Sequence, residues 1–292
     1  MNSILIGTSG YDYPEWKGVF YPPEVKRADF LSYYATQFNA VELNNTFYNM
    51  PTAKRLFSFY ERSEGRLQFS IKANRLLTHE IDSQWQTATE DFKQALNPLL
   101  EKNSLSAVLF QFPQSFHYTN ENRIYLAKMI AAFEGFPVVI EFRHKEWIRE
   151  SVFEGLVQRK ASVAFCDMPQ LKALPNADFK NSLYSQFIGP NAYIRLHGRN
   201  ANAWYAPAPK AQTSIISTHA NGAAATYAAS SEQNGSGRYD YEYSEGELKD
   251  FVPVVHVATE EGRKVQVYFN NHPKGNGARN AMQLKEMVNA NL

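Results

Sequence analysis

Eight short apolar runs, most of them separated by helical patterns, constrain the fold of this chain more than any other feature. The runs are rich in β-branched and aromatic residues, which is typical of buried strands. Strands that alternate with helices indicate βα units and a parallel sheet, because parallel neighbours need a crossover connection. The eight runs lie at residues 3–10, 39–45, 67–74, 106–113, 137–144, 161–169, 191–199 and 264–271.

Eight βα units within 292 residues predict an α/β fold, a TIM (β/α)8 barrel with eight parallel strands. The alternative is an open doubly wound sheet, which normally has a glycine-rich phosphate-binding turn after its first strand. The sequence "GTSGYDYPEW" at residues 7–16 does not have that spacing, so the barrel ranks first. We expect a single domain over residues 1–292.

Residues 200–237 form a long insertion after the seventh strand, rich in Ala, Ser, Asn, Gly and Pro. The segment is long for a loop inside a compact domain. Because it follows a strand of the barrel, we expect it on the C-terminal face. It is compatible with a lid over a cleft and equally with a variable or disordered insertion.

Composition narrows the classes of partner. The formal net charge of +1 gives no global attraction to nucleic acid or to anionic membranes. Cys166 is the only cysteine, so no intrachain disulfide can form, which fits a reducing compartment. The N-terminal segment lacks the features of a signal peptide, and no apolar run approaches the roughly 18 residues of a membrane span. We therefore expect a cytoplasmic protein that does not contact membrane.

Polar side chains gather at the C-terminal end of nearly every apolar run. Residues two apart on a strand share a face, so such pairs point the same way. If they face inward, they converge at the end of the barrel where TIM-barrel enzymes place their active sites. A buried structural ion-pair network is the alternative. The pairs are Glu42 with Asn44, Glu141 with Arg143, and Arg195 with His197.

Several motifs carry a family resemblance. They occur in order from residue 6 to residue 281 and read "IGTSGYDYPEWKGVFYP", "FNAVELNNTFYNMP", "FSIKANRLLTHE", "LFQFPQSF", "VIEFRHKEW", "YIRLHGR" and "VYFNNHPKGNGARNA". Together they resemble the YecE-like family, known as domain of unknown function 72. The resemblance implies a TIM barrel and carries no established activity. A nucleic-acid or phosphate-ester role would rest on the barrel architecture alone, which is weak evidence about function.

Four residues are candidate catalytic groups. Three carboxylates at strand ends are acid or base candidates. A histidine between Arg195 and Arg199 is expected to be neutral and to relay a proton, since neighbouring cations disfavour its charged form. The four are Glu42, Glu141, Asp167 and His197. His79 and His144 follow the third and fifth strands, and a structural role is favoured for His79.

The same carboxylates and His197 would suit a divalent metal by ligand type. No compact motif such as H-E-x-x-H is present, however, and nearby cations can neutralise the carboxylates without a metal. We therefore predict no cofactor and leave a divalent metal open. Two carboxylates would also suit a glycosidase, an interpretation that depends on their separation.

The remaining candidates would bind substrate. Lys72, Arg143 and Arg195 are suited to phosphate or carboxylate groups. The substrate-orienting candidates are Asn44, Gln111, Asn270 and Asn271, with Tyr11, Tyr48 and Trp147 as stacking residues. Lys274 and Arg279 flank the start of the last helix and are predicted to bind phosphate, since free N–H groups there attract anions. An ordinary helix start is the alternative.

The leading functional hypothesis is a hydrolase-like enzyme, such as a phosphoesterase, acting on a phosphorylated or otherwise anionic small molecule or nucleotide. The first alternative is a nucleic-acid-binding protein without catalysis, which requires an extended basic groove. The second is a ligand-binding or partner-binding barrel whose insertion at 200–237 supplies the interface.

Overall fold

The barrel is closed by eight parallel strands that pair in chain order, with the first strand also paired to the last. The computed structural model describes residues 4–175, 188–205 and 237–290. The strands are β1 (Leu5–Ser9), β2 (Ala40–Leu43), β3 (Gln68–Lys72), β4 (Leu105–Gln111), β5 (Val138–Glu141), β6 (Ser162–Asp167), β7 (Asn191–Leu196) and β8 (Lys264–Phe269). The prediction of a TIM-type α/β barrel is confirmed.

Eight α-helices occur among the described residues, and most lie between successive strands. They are α1 (Phe30–Gln37), α2 (Ala53–Arg62), α3 (Trp85–Glu101), α4 (Asn120–Ala132), α5 (Glu150–Gln158), α6 (Glu245–Lys249), α7 (Phe251–Glu260) and α8 (Asn276–Ala290). Two of them, α6 and α7, lie between β7 and β8. The single-domain expectation stays a prediction. Of the predicted insertion 200–237, residues 206–236 lie outside the described residues.

Side-chain hydroxyls fix where several helices begin. Thr52 accepts a hydrogen bond from the backbone N–H of Arg55 at the start of α2, and Thr119 accepts one from Asn122 at the start of α4. Ser244 and Glu247 form a reciprocal capping box at α6. Such caps satisfy N–H groups that have no partner inside the helix. Local sequence therefore sets these boundaries.

The strands are buried on both faces, and alternate residues face the barrel interior. The outward residues, such as Val41 and Phe110, join the large apolar core beneath the helices. The interior carries a smaller apolar set that includes Leu109, Tyr193 and Tyr268. The hydroxyl of Tyr193 lies 2.6 Å from Ser70 Oγ. The interior is therefore partly polar below the mouth, which is the open end of the barrel at the C-terminal ends of the strands.

Gly7 permits a close approach of β1 and β2. A Cβ at this position would lie 2.0 Å from the backbone oxygen of Ala40 and 2.8 Å from the hydroxyl of Tyr34. We expect Gly7→Ala to lower the free energy of unfolding by more than about 2 kcal/mol, because an overpacked core strains backbone that cannot move aside. Urea denaturation followed by circular dichroism measures this.

Gly246 in α6 is the matched control for that variant. A Cβ there would meet nothing within 4 Å. Gly246→Ala is expected to leave stability unchanged or to raise it by up to about 1 kcal/mol, because alanine favours a helix. Equal stabilities of the Gly7→Ala variant and the wild type would contradict the close approach.

None of the helices in the described part of the chain combines the length and the apolar character that crossing a bilayer demands.

Candidate functional site

Arg195 is the centre of an ion network at the C-terminal ends of the strands. Its Nε and Nη2 donate to the two carboxylate oxygens of Glu42 at 2.9 and 2.6 Å. Its Nη1 donates to Glu141 Oε2 at 2.5 Å. Arg195 is 1% exposed and both glutamates are fully buried. One guanidinium thus links β2, β5 and β7 across the barrel, in the paired geometry that arginine and carboxylate favour.

Arg143 extends the network toward solvent. Its Nε donates to Glu141 Oε1, and its Nη2 lies 3.3 Å from Nε2 of His197. The guanidinium also lies 6.0 Å from the ring centre of Trp204. The network contains two carboxylates and two guanidinium groups, so its formal charges sum to zero. The four residues are Glu42, Glu141, Arg143 and Arg195. The predicted convergence of the strand-end pairs therefore occurs, as a mutually neutralised network.

Glu141 is held in its ionised form. Burial alone would raise the pKa of its carboxyl, but the charges of Arg143 and Arg195 outweigh burial and hold that pKa well below its usual range. A carboxylate that stays ionised at neutral pH has no proton to donate. The acid role predicted for Glu141 is therefore disfavoured, and its observed contacts are those of an anchor for two arginines.

His197 is buried and neutral. Burial is the largest cause that lowers its pKa well below the usual value, followed by the charges of Arg143 and Arg195. Its Nε2 must accept from Arg143, because a guanidinium can only donate. Its Nδ1 therefore carries the proton and lies 2.9 Å from the side-chain nitrogen of Asn270. A protonated Nδ1 can donate only to the amide oxygen, so this tautomer requires the flipped orientation of the Asn270 amide.

The other polar candidates line the same end of the barrel. Lys72 is 2% exposed, and its Nζ lies 4.4 Å from the ring centre of Phe47. Gln111 donates to the backbone oxygen of Phe112 at 3.1 Å. Among the described residues, Asn44 Oδ1 and Ser9 Oγ are buried without a hydrogen-bond partner. Such atoms are costly unless water or a ligand satisfies them.

Asp167, predicted as an acid or base candidate, lies outside the network around Arg195. Cys166 is among the interior residues of β6, and its neighbour Asp167 consequently points outward. Asp167 accepts from Arg199 Nε at 3.0 and 3.1 Å and from the hydroxyl of Tyr243 at 2.6 Å. These contacts tie β6 to the segment after β7. Asp167 is therefore a structural anchor in this arrangement.

The predicted aromatic contacts also change. Trp147 is 1% exposed, stacks on Phe142 and donates its indole N–H to the backbone oxygen of Phe116 at 2.6 Å. Its ring is enclosed by protein, which does not favour ligand stacking, and that role of Trp147 stays a prediction. Tyr11 packs near Tyr34 and Phe59, and Tyr48 packs edge-on against Phe47. Both remain partly exposed, and their ligand roles stay predictions.

The predicted phosphate site after β8 is occupied by protein carboxylates. Lys274 Nζ contacts Asp240 Oδ2 at 2.8 Å, and Arg279 Nη2 contacts Glu242 at 3.3 Å. These acidic groups compete with any anion, which weakens the prediction for both cations. Asn271 is fully buried and donates to the backbone oxygen of Tyr241, which holds the segment after the insertion. Its Oδ1 has no hydrogen-bond partner among the described residues, and its substrate role stays a prediction.

Sequence reasoning missed several residues of the site. Tyr193 donates to Glu42 Oε2 at 2.8 Å, and Trp204 and Tyr239 lie near the ring of His197. Tyr193 precedes Arg195 by two residues, so their shared strand face was a usable signal. No comparable periodicity pointed to Trp204 or Tyr239, which lie on irregular segments.

Two groups of side chains have metal-ligating atoms within 4.8 Å of one another among the described residues. The buried group is Glu141, Cys166 and His197. Both oxygens of Glu141 are already bound by arginines, and burial raises the pKa of the Cys166 thiol well above its usual value. A metal would have to displace these contacts and take a proton from the thiol, so this group is poorly suited to hold one. The second group lies on the rim, at His117, His144 and Glu146.

Comparison with known proteins places this chain in a family. The family model described as "Protein of unknown function DUF72" matches residues 5–292. The chain belongs to the DUF72 family. The resemblance seen in the sequence motifs is thereby confirmed, and the network described above is a feature of a DUF72 barrel.

Relatives of this DUF72 chain cover nearly its whole length. The UPF0759 protein YunF of Bacillus subtilis (strain 168) is 26% identical over 98% of this chain and 94% of its own. The crystal structure of a DUF72 family protein from Thermotoga maritima matches with a TM-score of 0.78 and 30% identity, over 98% of this chain and 100% of that one. A DUF72 structure from Enterococcus faecalis, with a TM-score of 0.76, 23% identity and coverage of 98% and 96%, shares the fold.

Proposed function

We propose that this barrel binds an anionic group of a small molecule at the mouth formed by the strand ends, with Arg143 as the anchor. Arg143 donates to Glu141 and His197 and makes no other hydrogen bond to the described residues. A guanidinium has five N–H donors, so three remain for a ligand. Its side chain is 12% exposed, whereas Arg195 is enclosed. This asymmetry between the two arginines carries the proposal.

Unpaired polar atoms support a ligand in the same mouth. Ser9 Oγ and Asn44 Oδ1 belong to β1 and to the residue after β2, beside Glu42. Arg143 follows β5, and the chain of contacts from Glu42 through Arg195 to Glu141 joins the two sides. A molecule with an anionic group at one end and hydroxyl or amide groups at the other matches this distribution.

We further propose a hydrolase-like activity on phosphorylated or otherwise anionic small molecules. His197 supports it by position, since its imidazole is neutral and its Nε2 lies 3.3 Å from Nη2 of the anion-binding arginine. A neutral imidazole can accept a proton from an attacking water, and the donor Arg143 Nη2 at 3.3 Å assigns Nε2 as the acceptor nitrogen. When an anion binds, Arg143 Nη2 would donate to the anion instead of to His197. Nε2 of His197 would then be free to accept a proton.

The test of the binding step uses inorganic phosphate as the probe, with isothermal titration calorimetry on the full chain. Arg143→Gln is expected to weaken phosphate binding by about 10-fold or more, because a charge-assisted hydrogen bond contributes about 1.5–3 kcal/mol. Arg199→Gln is the control, a half-exposed arginine already paired with Asp167 and Glu247. It is expected to bind phosphate within about twofold of wild type.

Equal phosphate affinities of Arg143→Gln and wild type would contradict the binding proposal. Arg143→Lys serves as a second variant that keeps the positive charge, and thermal unfolding checks that each variant is folded. Activity is screened as phosphate release from a panel of phosphate mono- and diesters. His197→Gln should abolish release while phosphate binding persists. No release from any ester by the wild type would contradict the hydrolase while leaving the binding site in place.

A further inference from the structure

Three side chains with metal-ligating atoms converge on the rim of the barrel. His117 lies in the loop after β4, and His144 and Glu146 lie in the loop after β5. His117 Nδ1 is 3.2 Å from Glu146 Oε2, and His144 Nδ1 is 3.5 Å from the same oxygen. One ligand atom of each residue lies within 4.8 Å of the others. None of the three belongs to the network around Arg195.

The spacing of these atoms matches a tetrahedral metal. Zinc lies about 2.0–2.1 Å from histidine nitrogen and about 2.0–2.2 Å from carboxylate oxygen. Two ligands on adjacent corners of such a tetrahedron are therefore roughly 3.3–3.5 Å apart. The two nitrogen–oxygen distances of 3.2 and 3.5 Å fall close to that range. An ion could enter between the three atoms with little movement of the side chains.

Buried aromatic contacts join the two loops behind the three residues. Trp147 follows Glu146, and Phe116 precedes His117 in the chain. Their rings stack at 5.1 Å with an interplanar angle of 6°, and the Trp147 indole donates to the backbone oxygen of Phe116. These buried contacts fix the two loops against each other next to the ligand atoms. A preorganised site of this kind binds metal without paying to order its loops.

Two backbone N–H groups also contact the ligand atoms, and a bound ion would replace the 3.4 Å hydrogen bond that Glu146 N–H donates to His144 Nδ1. The Glu146 carboxylate accepts from the backbone N–H of Tyr118 at 3.3 Å, which orients it toward the histidines. Arg149 donates its Nε to the backbone oxygen of Glu146 and packs over the ring of Tyr118. Side chains of His117 and Glu146 are 53% and 43% exposed, so an ion could reach them directly from solvent.

We propose that His117, His144 and Glu146 form a binding site for a transition-metal ion of the zinc type, with the fourth position open to water or a ligand. Two imidazoles and one carboxylate favour zinc, cobalt or nickel over magnesium or calcium, which prefer oxygen ligands. Three protein ligands with an open position are typical of catalytic rather than structural zinc sites. His144 directly follows Arg143, so the ion would lie at the edge of the mouth. This site does not depend on the proposed phosphate binding.

Cobalt(II) is the probe for the test. The full chain is freed of metal with a chelator and titrated with Co²⁺ while the visible absorption is recorded. We expect one Co²⁺ per chain, with d–d bands of a four- or five-coordinate ion that disappear when Zn²⁺ is added. His117→Ala and Glu146→Gln should each weaken Co²⁺ binding by at least about 10-fold. His117 is exposed, so its replacement should leave the fold intact.

His79→Ala is the matched control, because His79 is an exposed histidine in the rim loop after β3 and lies outside the three-residue group. It should bind Co²⁺ as the wild type does. Absence of Co²⁺ binding to the wild type at millimolar concentration would overturn the proposal. Equal affinities of the wild type and His117→Ala, or an equal loss in His79→Ala, would overturn it as well, since binding would then be located elsewhere.

Discussion

Replacing Arg195 with methionine is expected to lower the free energy of unfolding by about 3–5 kcal/mol. The change removes three hydrogen bonds to Glu42 and Glu141, which are both fully buried. Glu141 keeps Arg143, but the hydrogen bond that remains to Glu42 among the described residues comes from the neutral hydroxyl of Tyr193. A buried carboxylate without a cationic partner is the main source of the loss. Guanidinium chloride denaturation of both proteins measures it.

Two further variants separate charge from packing. Arg66→Met removes an exposed arginine paired with Glu64 and should change stability by less than about 0.5 kcal/mol. Adding Glu42→Gln to Arg195→Met should recover more than about 1 kcal/mol, because the uncompensated charge is then gone. A single Arg195→Met variant within about 1 kcal/mol of wild type would show that the network adds little to stability.

The stability of the protein should fall between pH 6.5 and pH 5 by up to about 1.4 kcal/mol per pH unit because of His197. Its pKa in the folded protein is well below the usual value, since burial and then Arg143, Arg195 and Lys72 disfavour its charged form, against an opposing effect of Glu141. The unfolded chain therefore takes up a proton in this range that the folded chain does not. The contribution of neutral His197 to the free energy of unfolding is fully present above the pKa of the unfolded chain and declines as the pH falls below that pKa.

Glu141 gives a second, separate loss at lower pH. Its folded pKa is depressed, so its contribution is present above the unfolded carboxyl value of about 4.3 and declines as pH falls below that value. Urea denaturation at closely spaced pH values between 6.5 and 5 isolates the histidine. His197→Asn should flatten this part of the profile, and His79→Asn should leave it unchanged. If the free energy of unfolding of His197→Asn falls as steeply between pH 6.5 and 5 as that of the wild type, the proton taken up on unfolding binds to another group.

Much of the fold was predictable from local sequence. The eight apolar runs coincide with the eight strands, and their ends differ from the observed bounds by a few residues. For example, the run 39–45 contains β2 at Ala40–Leu43. The run 191–199 contains β7 at Asn191–Leu196, so His197 lies just past the end of that strand. Composition and periodicity suffice here because every strand of a closed parallel barrel is buried on both faces, which demands a short apolar run.

The site was predictable in part. The spacing of two residues correctly paired Glu141 with Arg143 and suggested that Arg195 and His197 share a face. The same burial that makes the strands easy to find hides their orientation, because "SVAFCD" at β6 has no polar alternation to show which face is inward. The sequence therefore did not show that Cys166 faces the interior and that Asp167, a catalytic candidate, does not.

The sequence by itself determined that the chain forms an eight-stranded parallel barrel with charged groups at its strand ends, because helix and strand periodicity are local properties. The tertiary structure alone decided the partners of those groups: Arg195 between Glu42 and Glu141, Trp147 enclosed against Phe116, and His117 beside Glu146. These contacts join residues far apart in the chain, and their geometry follows from how the strands twist and close. The pairing of the charged groups and the spacing of the metal-ligating atoms therefore depend on how the barrel closes.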